Sequence, residues 1–209
     1  MGDDPAAVTA NRAALARALP FTPDDPGQWV WLRQVHGNAV AVVDAPPSAP
    51  PEADAAVTAT VGLPLVVLTA DCAPIALVGD GVVGVVHAGW HGLERGVIGA
   101  AVDALRSRAA SPDAPVRALL GPCIHAPRYE FGAAELDRLV ARFGPTVAGR
   151  TDAGAPALDV PAAVRVALCE AGVDELMVSP VCTASSPDHF SYRRDGVTGR
   201  QAVVVVRVQ

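Results

Sequence analysis

Between Leu65 and His87 the chain reads LVVLTADCAPIALVGDGVVGVVH, with apolar runs at Leu65–Thr69, Ile75–Val78 and Val82–His87 broken by ADCAP and by Gly-Asp-Gly at 79–81. Short apolar runs punctuated by Gly, Pro and Asp are strands; a helix needs more length and a 3.6-residue period. Gly-Asp-Gly is a hairpin turn, so the last two runs pair antiparallel. The same pattern predicts strands at Trp29–Val35, Ala39–Val43, Val116–Leu120, Leu176–Val178 and Ala202–Val208. Helices are predicted from Asp3 (DDPAAVTANRAALARAL), with Asp at the cap and Pro5 in the first turn, and over Gly92–Arg108, Ala133–Phe143 and Pro161–Ala171. The four-proline stretch Asp44–Asp54 and the segment 144–160 read as loops. Strands joined partly by hairpins and partly across helices imply a mixed sheet, hence an α+β protein folded as a single domain over residues 1–209.

Aromatic residues are only 4% of a chain that is 51% hydrophobic, so the core is built from Val, Ala and Leu. The longest apolar runs, Pro64–Leu68 and Val203–Val206, fall far short of the ~20 residues of a membrane-spanning helix. No basic-then-apolar leader opens the chain, and a cytoplasmic protein without membrane contact is expected. A net charge of −6 with no Lys/Arg block argues against nucleic acid. Cys72, Cys123, Cys169 and Cys182 form no CxxC pair; in a reducing compartment they are core residues, ligands or nucleophiles.

Three strand ends carry metal-binding side chains: Gln34-Val35-His36-Gly37, Thr69-Ala70-Asp71-Cys72, and His87 after VGVV. Strands whose ends meet at one sheet edge can bring His36, Cys72 and His87 together, and two imidazoles plus a thiolate leave a fourth position open, as in catalytic zinc sites. Ala88-Gly89 keeps the space beside His87 small. Taken singly, each is more often a packed histidine or an inert cysteine than a ligand. GPCIHAPRYEFG (121–132) adds Cys123, His125 and Arg128 after a strand, but residues two apart on extended chain face opposite ways, so Cys123 and His125 make a poor catalytic pair. SPDHFSYRRDGVTGRQ (186–201) supplies Tyr192, Arg193, Arg194 and Arg200, a set suited to an anionic or planar ligand or to pinning a turn. His91 precedes a helix start, where a switchable positive charge could meet an anion.

QVHG, TADCAPI, HAGWHGL, GPCI…YEFG and FSYRRDGVTGRQA, in this order, resemble the laccase-domain family, whose members are also called polyphenol oxidases, multi-function purine nucleoside phosphorylases or peptidoglycan editing factors. The resemblance implies a layered α/β/β/α fold with mixed sheets, a monomer or homodimer, and a zinc held by His36, Cys72 and His87. It also implies phosphorolysis of adenosine, inosine and methylthioadenosine, with adenosine deamination as a second activity. The family's HAGWRG is HAGWHG here, with His91 for Arg; its N-terminal Thr-Arg-x-Gly-Gly arm is not seen before Gly2-Asp3-Asp4; its GPCIGPCCYEV is GPCIHAPRYEF.

On this basis the expected substrates are a purine nucleoside and phosphate. Asp71 beside Cys72 is the candidate proton shuttle for deamination, where zinc brings the pKa of water toward ~7. Arg193, Arg194 and His91 are candidates for holding phosphate, and Gln34 and Tyr192 for contacting substrate. His₂Cys is also a copper ligand set, yet five histidines cannot furnish both a blue-copper centre and a trinuclear cluster, so copper would be incidental at the zinc site. Two further alternatives are a Cys/His amide hydrolase acting on cell-wall precursors through Cys72 or Cys123, and a non-catalytic, metal-stabilised partner protein.

Overall fold

A computed structural model describes residues 3–173 and 175–208. Helix α1 (Pro5–Ala18) is capped by Asp4, whose carboxylate accepts from the Ala6 N–H at 2.9 Å. There follow β1 (Val30–Trp31), β2 (Val40–Val42), β3 (Ala55–Thr58), β4 (Leu65–Thr69), β5 (Ala73–Gly79) and β6 (Val82–Ala88). Next come α2 (Trp90–Glu94), α3 (Val97–Arg108), β7 (Arg117–Leu120), α4 (Ala133–Phe143), β8 (Ala148–Arg150) and β9 (Pro156–Leu158). The chain closes with α5 (Val160–Glu170), β10 (Glu175–Val178), α6 (Tyr192–Asp195) and β11 (Gln201–Val205).

The strands form a small sheet ordered β1-β4-β11, a large one ordered β10-β7-β5-β6-β3-β2, and the β8-β9 ribbon, with parallel and antiparallel pairs in both main sheets. Alternation along each strand sorts side chains into layers. Trp29, Trp31, Val66, Leu68, Ala202 and Val204 face α1; Val30, Leu65 and Val67 face Ala56 and Val85 of the large sheet. Ile75, Leu77, Val86 and Leu120 meet α3 and α5 on the far side. The order is therefore α, small sheet, large sheet, α. Among the described residues no helix is long and apolar enough to cross a membrane.

The β5–β6 hairpin forms as expected, Gly79 pairing with Val82 and Gly81 taking φ +69°. Other boundaries differ from the sequence pattern. Regular pairing along Trp29–Val35 covers only Val30–Trp31, because the Gln34 side-chain amide replaces the backbone on β4, donating to Leu68 O at 2.8 Å and accepting from Leu68 N at 2.9 Å. The expected helix Gly92–Arg108 is two helices, broken where Gly96 takes φ +81°. The four fully buried residues of β3 follow the proline loop directly, and segment 144–160 contains the β8–β9 hairpin.

Candidate metal centre

The centre lies where the two sheets end. His36 follows β1 of the small sheet, Cys72 sits on the link that carries the chain from β4 to β5 of the large sheet, and His87 is near the end of β6. Their ligand-capable atoms lie within 4.8 Å of one another, with Cys72 Sγ 3.9 Å from His36 Nε2 and the two imidazoles edge-to-face at 4.9 Å. An ion with bonds of about 2.0–2.3 Å needs only small side-chain rotations to draw these three in. The space is kept by Gly89, where a Cβ would fall 2.7 Å from His36 Cδ2 and 3.2 Å from Cys72 Sγ.

Asp54 organises the group. It is 0% exposed and accepts from the backbone N–H groups of Val35 (3.2 Å), His36 (2.9 Å) and Gly37 (2.7 Å), and its Oδ1 meets His87 Nδ1 at 2.8 Å. Three consecutive N–H groups aimed at one carboxylate form an anion-binding nest, and they hold His36 at φ +57°, a conformation that costs a non-glycine residue about 1 kcal/mol or more. With Nδ1 engaged, His87 presents Nε2 to the cavity, the arrangement in which an outer carboxylate orients a ligand imidazole. The sequence pattern places Asp54 at the end of the proline-rich loop. The signal that marks it is position: an acid abutting the apolar AAVT run has no route to solvent.

The charges are coupled. Burial alone would raise the Cys72 thiol, but hydrogen bonding and charge from His36 and His87 outweigh it and bring it to about 6. Burial alone would lower His87; Asp54 and Cys72 reverse that and raise it to about 9. A thiolate with two imidazole nitrogens is a soft, anionic donor set suited to zinc.

A cavity of about 1060 Å³ opens beside the three ligands. Gln34, Asp71, His91, Tyr192 and Arg193 stand in its wall, together with Arg12, Arg33, Arg95, Trp90, Tyr129 and Arg200. Among the described residues the only carboxylate in that wall is Asp71, whose oxygens accept from Thr183 Oγ1 and Arg193 N, each at 2.7 Å, with its backbone at φ +92°. Arg193 lies 4.8 Å over the Tyr129 ring, and burial raises the Tyr129 hydroxyl to about 12. His91 stacks on Trp90 at 3.5 Å; partial burial, then Arg95, lower its pKa. Thr69, also in the wall, has a buried hydroxyl without a partner among the described residues.

Two expected residues are not brought to the cavity. Cys123 is 1% exposed in the main core, where burial pushes its thiol up. Arg194 donates to Thr183 O, Ser186 O and His189 O and pairs with Asp195, so its guanidinium ties down the loop before α6. Its neighbour Arg193 is the one that lines the cavity.

Two mixed sheets between helices, with a His-Cys-His group able to hold a metal ion at their edge, define a layered α/β/β/α fold with a candidate metal site. The chain belongs to the family described as multi-copper polyphenol oxidoreductase laccase, whose model matches residues 1–208. It is 48% identical over 206 residues to a purine nucleoside phosphorylase of Streptomyces coelicolor, covering 97% of this chain and 83% of the relative. A purine nucleoside phosphorylase of Mycobacterium tuberculosis is 42% identical over 209 residues, covering 98% of this chain and 81% of the relative. Among solved structures, YlmD from Geobacillus stearothermophilus superposes with a TM-score of 0.85 at 32% identity, over 100% of this chain and 83% of that one. YfiH of Bacillus licheniformis gives 0.87 at 28% identity, over 99% and 83%.

Proposed function

We propose that the protein is a zinc-dependent purine nucleoside phosphorylase, with zinc at His36, Cys72 and His87. The observation that carries this is the joining of a preorganised His₂Cys group to a cavity lined by arginines. The relatives named purine nucleoside phosphorylase support it. When bound, the zinc supplies Lewis acidity at the cavity wall.

The chain's own residues do the rest. Trp90, Tyr129 and Tyr192 offer flat surfaces against which a purine stacks. In phosphorolysis the glycosidic bond breaks as phosphate adds at C1′, so an anion must be held near that carbon. Arg193, fixed by its stack on Tyr129 and by a bond from its side chain to Glu130 O at 3.2 Å, fills that role. Arg95, which donates to His36 O at 3.2 Å, and His91 stand beside it. Planar guanidinium groups match phosphate oxygens in pairs. Gln34, with both ends of its amide bound to Leu68, keeps the His36 loop in place and presents its side to the ligand.

Adenosine deamination is the second activity, favoured by Asp71: it is the carboxylate in the wall, next to Cys72, and able to relay a proton. A multi-copper oxidase needs more imidazoles than this chain holds, and among the described residues one group of three potential ligands is found. A thiol hydrolase working through Cys123 would need that sulfur in the cavity.

The test is incubation of the purified, zinc-loaded protein with inosine, with and without phosphate. Hypoxanthine release that depends on phosphate is expected; release indifferent to phosphate overturns phosphorolysis.

A further inference from the structure

We propose that the cavity has a second anion subsite, on the α1 face of the small sheet, and that its preferred ligand is a phosphorylated nucleoside and not the bare nucleoside. This builds on the nucleoside reading above and adds the substrate's charge.

Five arginines line the cavity, and the layers sort them into two groups. Arg95 and Arg193 come from the large-sheet side and stand near the metal ligands, through His36 O and Tyr129. Arg12, Arg33 and Arg200 come from the opposite side. Trp29, just before β1, and Trp31 on it face α1, and the alternation continues past the strand to Arg33; on β11, Ala202 and Val204 face α1, and the alternation runs back to Arg200. Arg12 is on α1 itself. The three line the cavity together with Leu68, which is turned to the same face of β4. Because β1 and β11 flank β4, extending their registers sets Arg33 level with Leu68 and Arg200 level with Ala70, two strand spacings and two residues apart, roughly 12 Å, within reach of two long side chains that turn toward one anion.

Orthophosphate held for attack at C1′ leaves this group without a task. Arg33 is partly neutralised by Glu52, and Arg200 bonds Thr198 O and Gly199 O through one nitrogen. Arg12 lies 4.0 Å over the Trp31 ring and has no hydrogen-bond partner among the described residues, so a guanidinium held by cation–π stacking presents its N–H fork to the cavity. Like charges gathered on one rim repel, and a bound anion removes that penalty. His36 lies three residues past Arg33, at most ~10 Å of extended chain. A ligand whose glycosidic carbon is at the metal centre can therefore carry its 5′ substituent to Arg12, Arg33 and Arg200.

The test is equilibrium binding of adenosine, adenosine 5′-monophosphate and orthophosphate, each separately, to the zinc-loaded protein. The monophosphate is expected to bind about tenfold more tightly than adenosine, the increment of one or two charge-assisted hydrogen bonds, and the advantage should shrink with salt. Arg12→Gln and Arg200→Gln should each remove most of that advantage, leaving adenosine binding and inosine phosphorolysis unchanged, with the melting temperature of Arg12→Gln lowered by about 2–4 °C through loss of its stack on Trp31. Equal affinity for adenosine and its monophosphate overturns the subsite, as does an advantage that survives both substitutions. Arg12-dependent binding of orthophosphate, without any gain for the monophosphate, overturns the nucleotide assignment. If the monophosphate binds through Arg12 while inosine is never cleaved, the subsite stands and phosphorolysis falls; the converse result sinks the subsite alone.

Discussion

Asp54→Asn is the substitution that reports most directly on how the metal centre is built. The carboxylate accepts four hydrogen bonds, from Val35, His36 and Gly37 N–H and from His87 Nδ1. Asparagine keeps the shape and one oxygen, but its NH₂ faces donors where the second carboxylate oxygen accepted. About half of the bonds are lost in a fully buried site, and bonds to a charged group contribute roughly 1.5–3 kcal/mol each. A net loss of about 3 kcal/mol is expected, which for a chain of this size lowers the melting temperature by about 6–12 °C. Freed from Nδ1, His87 loses its fixed orientation and His36 its nest, so zinc affinity should fall about 10–100-fold. Chelator competition gives the affinity, and thermal melts of the metal-free protein give the stability. Burial raises the Asp54 pKa, but the His87 and backbone bonds outweigh it and hold it below the usual range. Its stabilisation is therefore complete above the unfolded value near ~3.9 and is lost as pH falls through the lower folded value. An Asp54→Asn protein that melts and binds zinc like the parent would refute this account.

Three further outcomes are expected. In metal-free protein, Cys72 should be alkylated by iodoacetamide with an apparent pKa of about 6, thiolate above and thiol below, and zinc should protect it; titration near an ordinary thiol's ~8.5 would count against the imidazole pairing. Gly89→Ala should leave the far-ultraviolet circular dichroism intact, because φ −75° and ψ 166° suit alanine, yet it should weaken zinc binding by at least about tenfold as its methyl meets His36 and Cys72. Cys123→Ala should cost about 1 kcal/mol of stability and keep activity, whereas Cys72→Ala should lose zinc and turnover together; loss of turnover in a zinc-replete Cys123→Ala protein would return the thiol-hydrolase mechanism to contention.

The elements most legible in the sequence are those whose causes are local. Gly79-Asp80-Gly81 is a hairpin by turn chemistry, and Asp4-Pro5 starts a helix by capping; both form as written. His36, Cys72 and His87 could be nominated because each follows an apolar run and precedes a break. Where a side chain replaces a backbone partner, local pattern fails: Gln34 ends β1 early by bonding Leu68, and Gly96 splits a periodic helix through one torsion.

What the sequence determined by itself is the longer strands and helices, the donor types and their order along the chain, since these follow from residue-level periodicity and chemistry; β3 and the β8–β9 hairpin did not show in it. Which residues serve together was decided only by the tertiary structure. Asp54 and His87 are 33 residues apart, Asp71 and Arg193 are 122 apart, and no period or spacing encodes either contact. Arg193 and Arg194 are adjacent and chemically identical, yet one faces the cavity and the other is consumed by loop carbonyls. The reason is physical: a buried carboxylate or guanidinium must find its partners across the fold, and layer packing, not sequence distance, sets who is within reach.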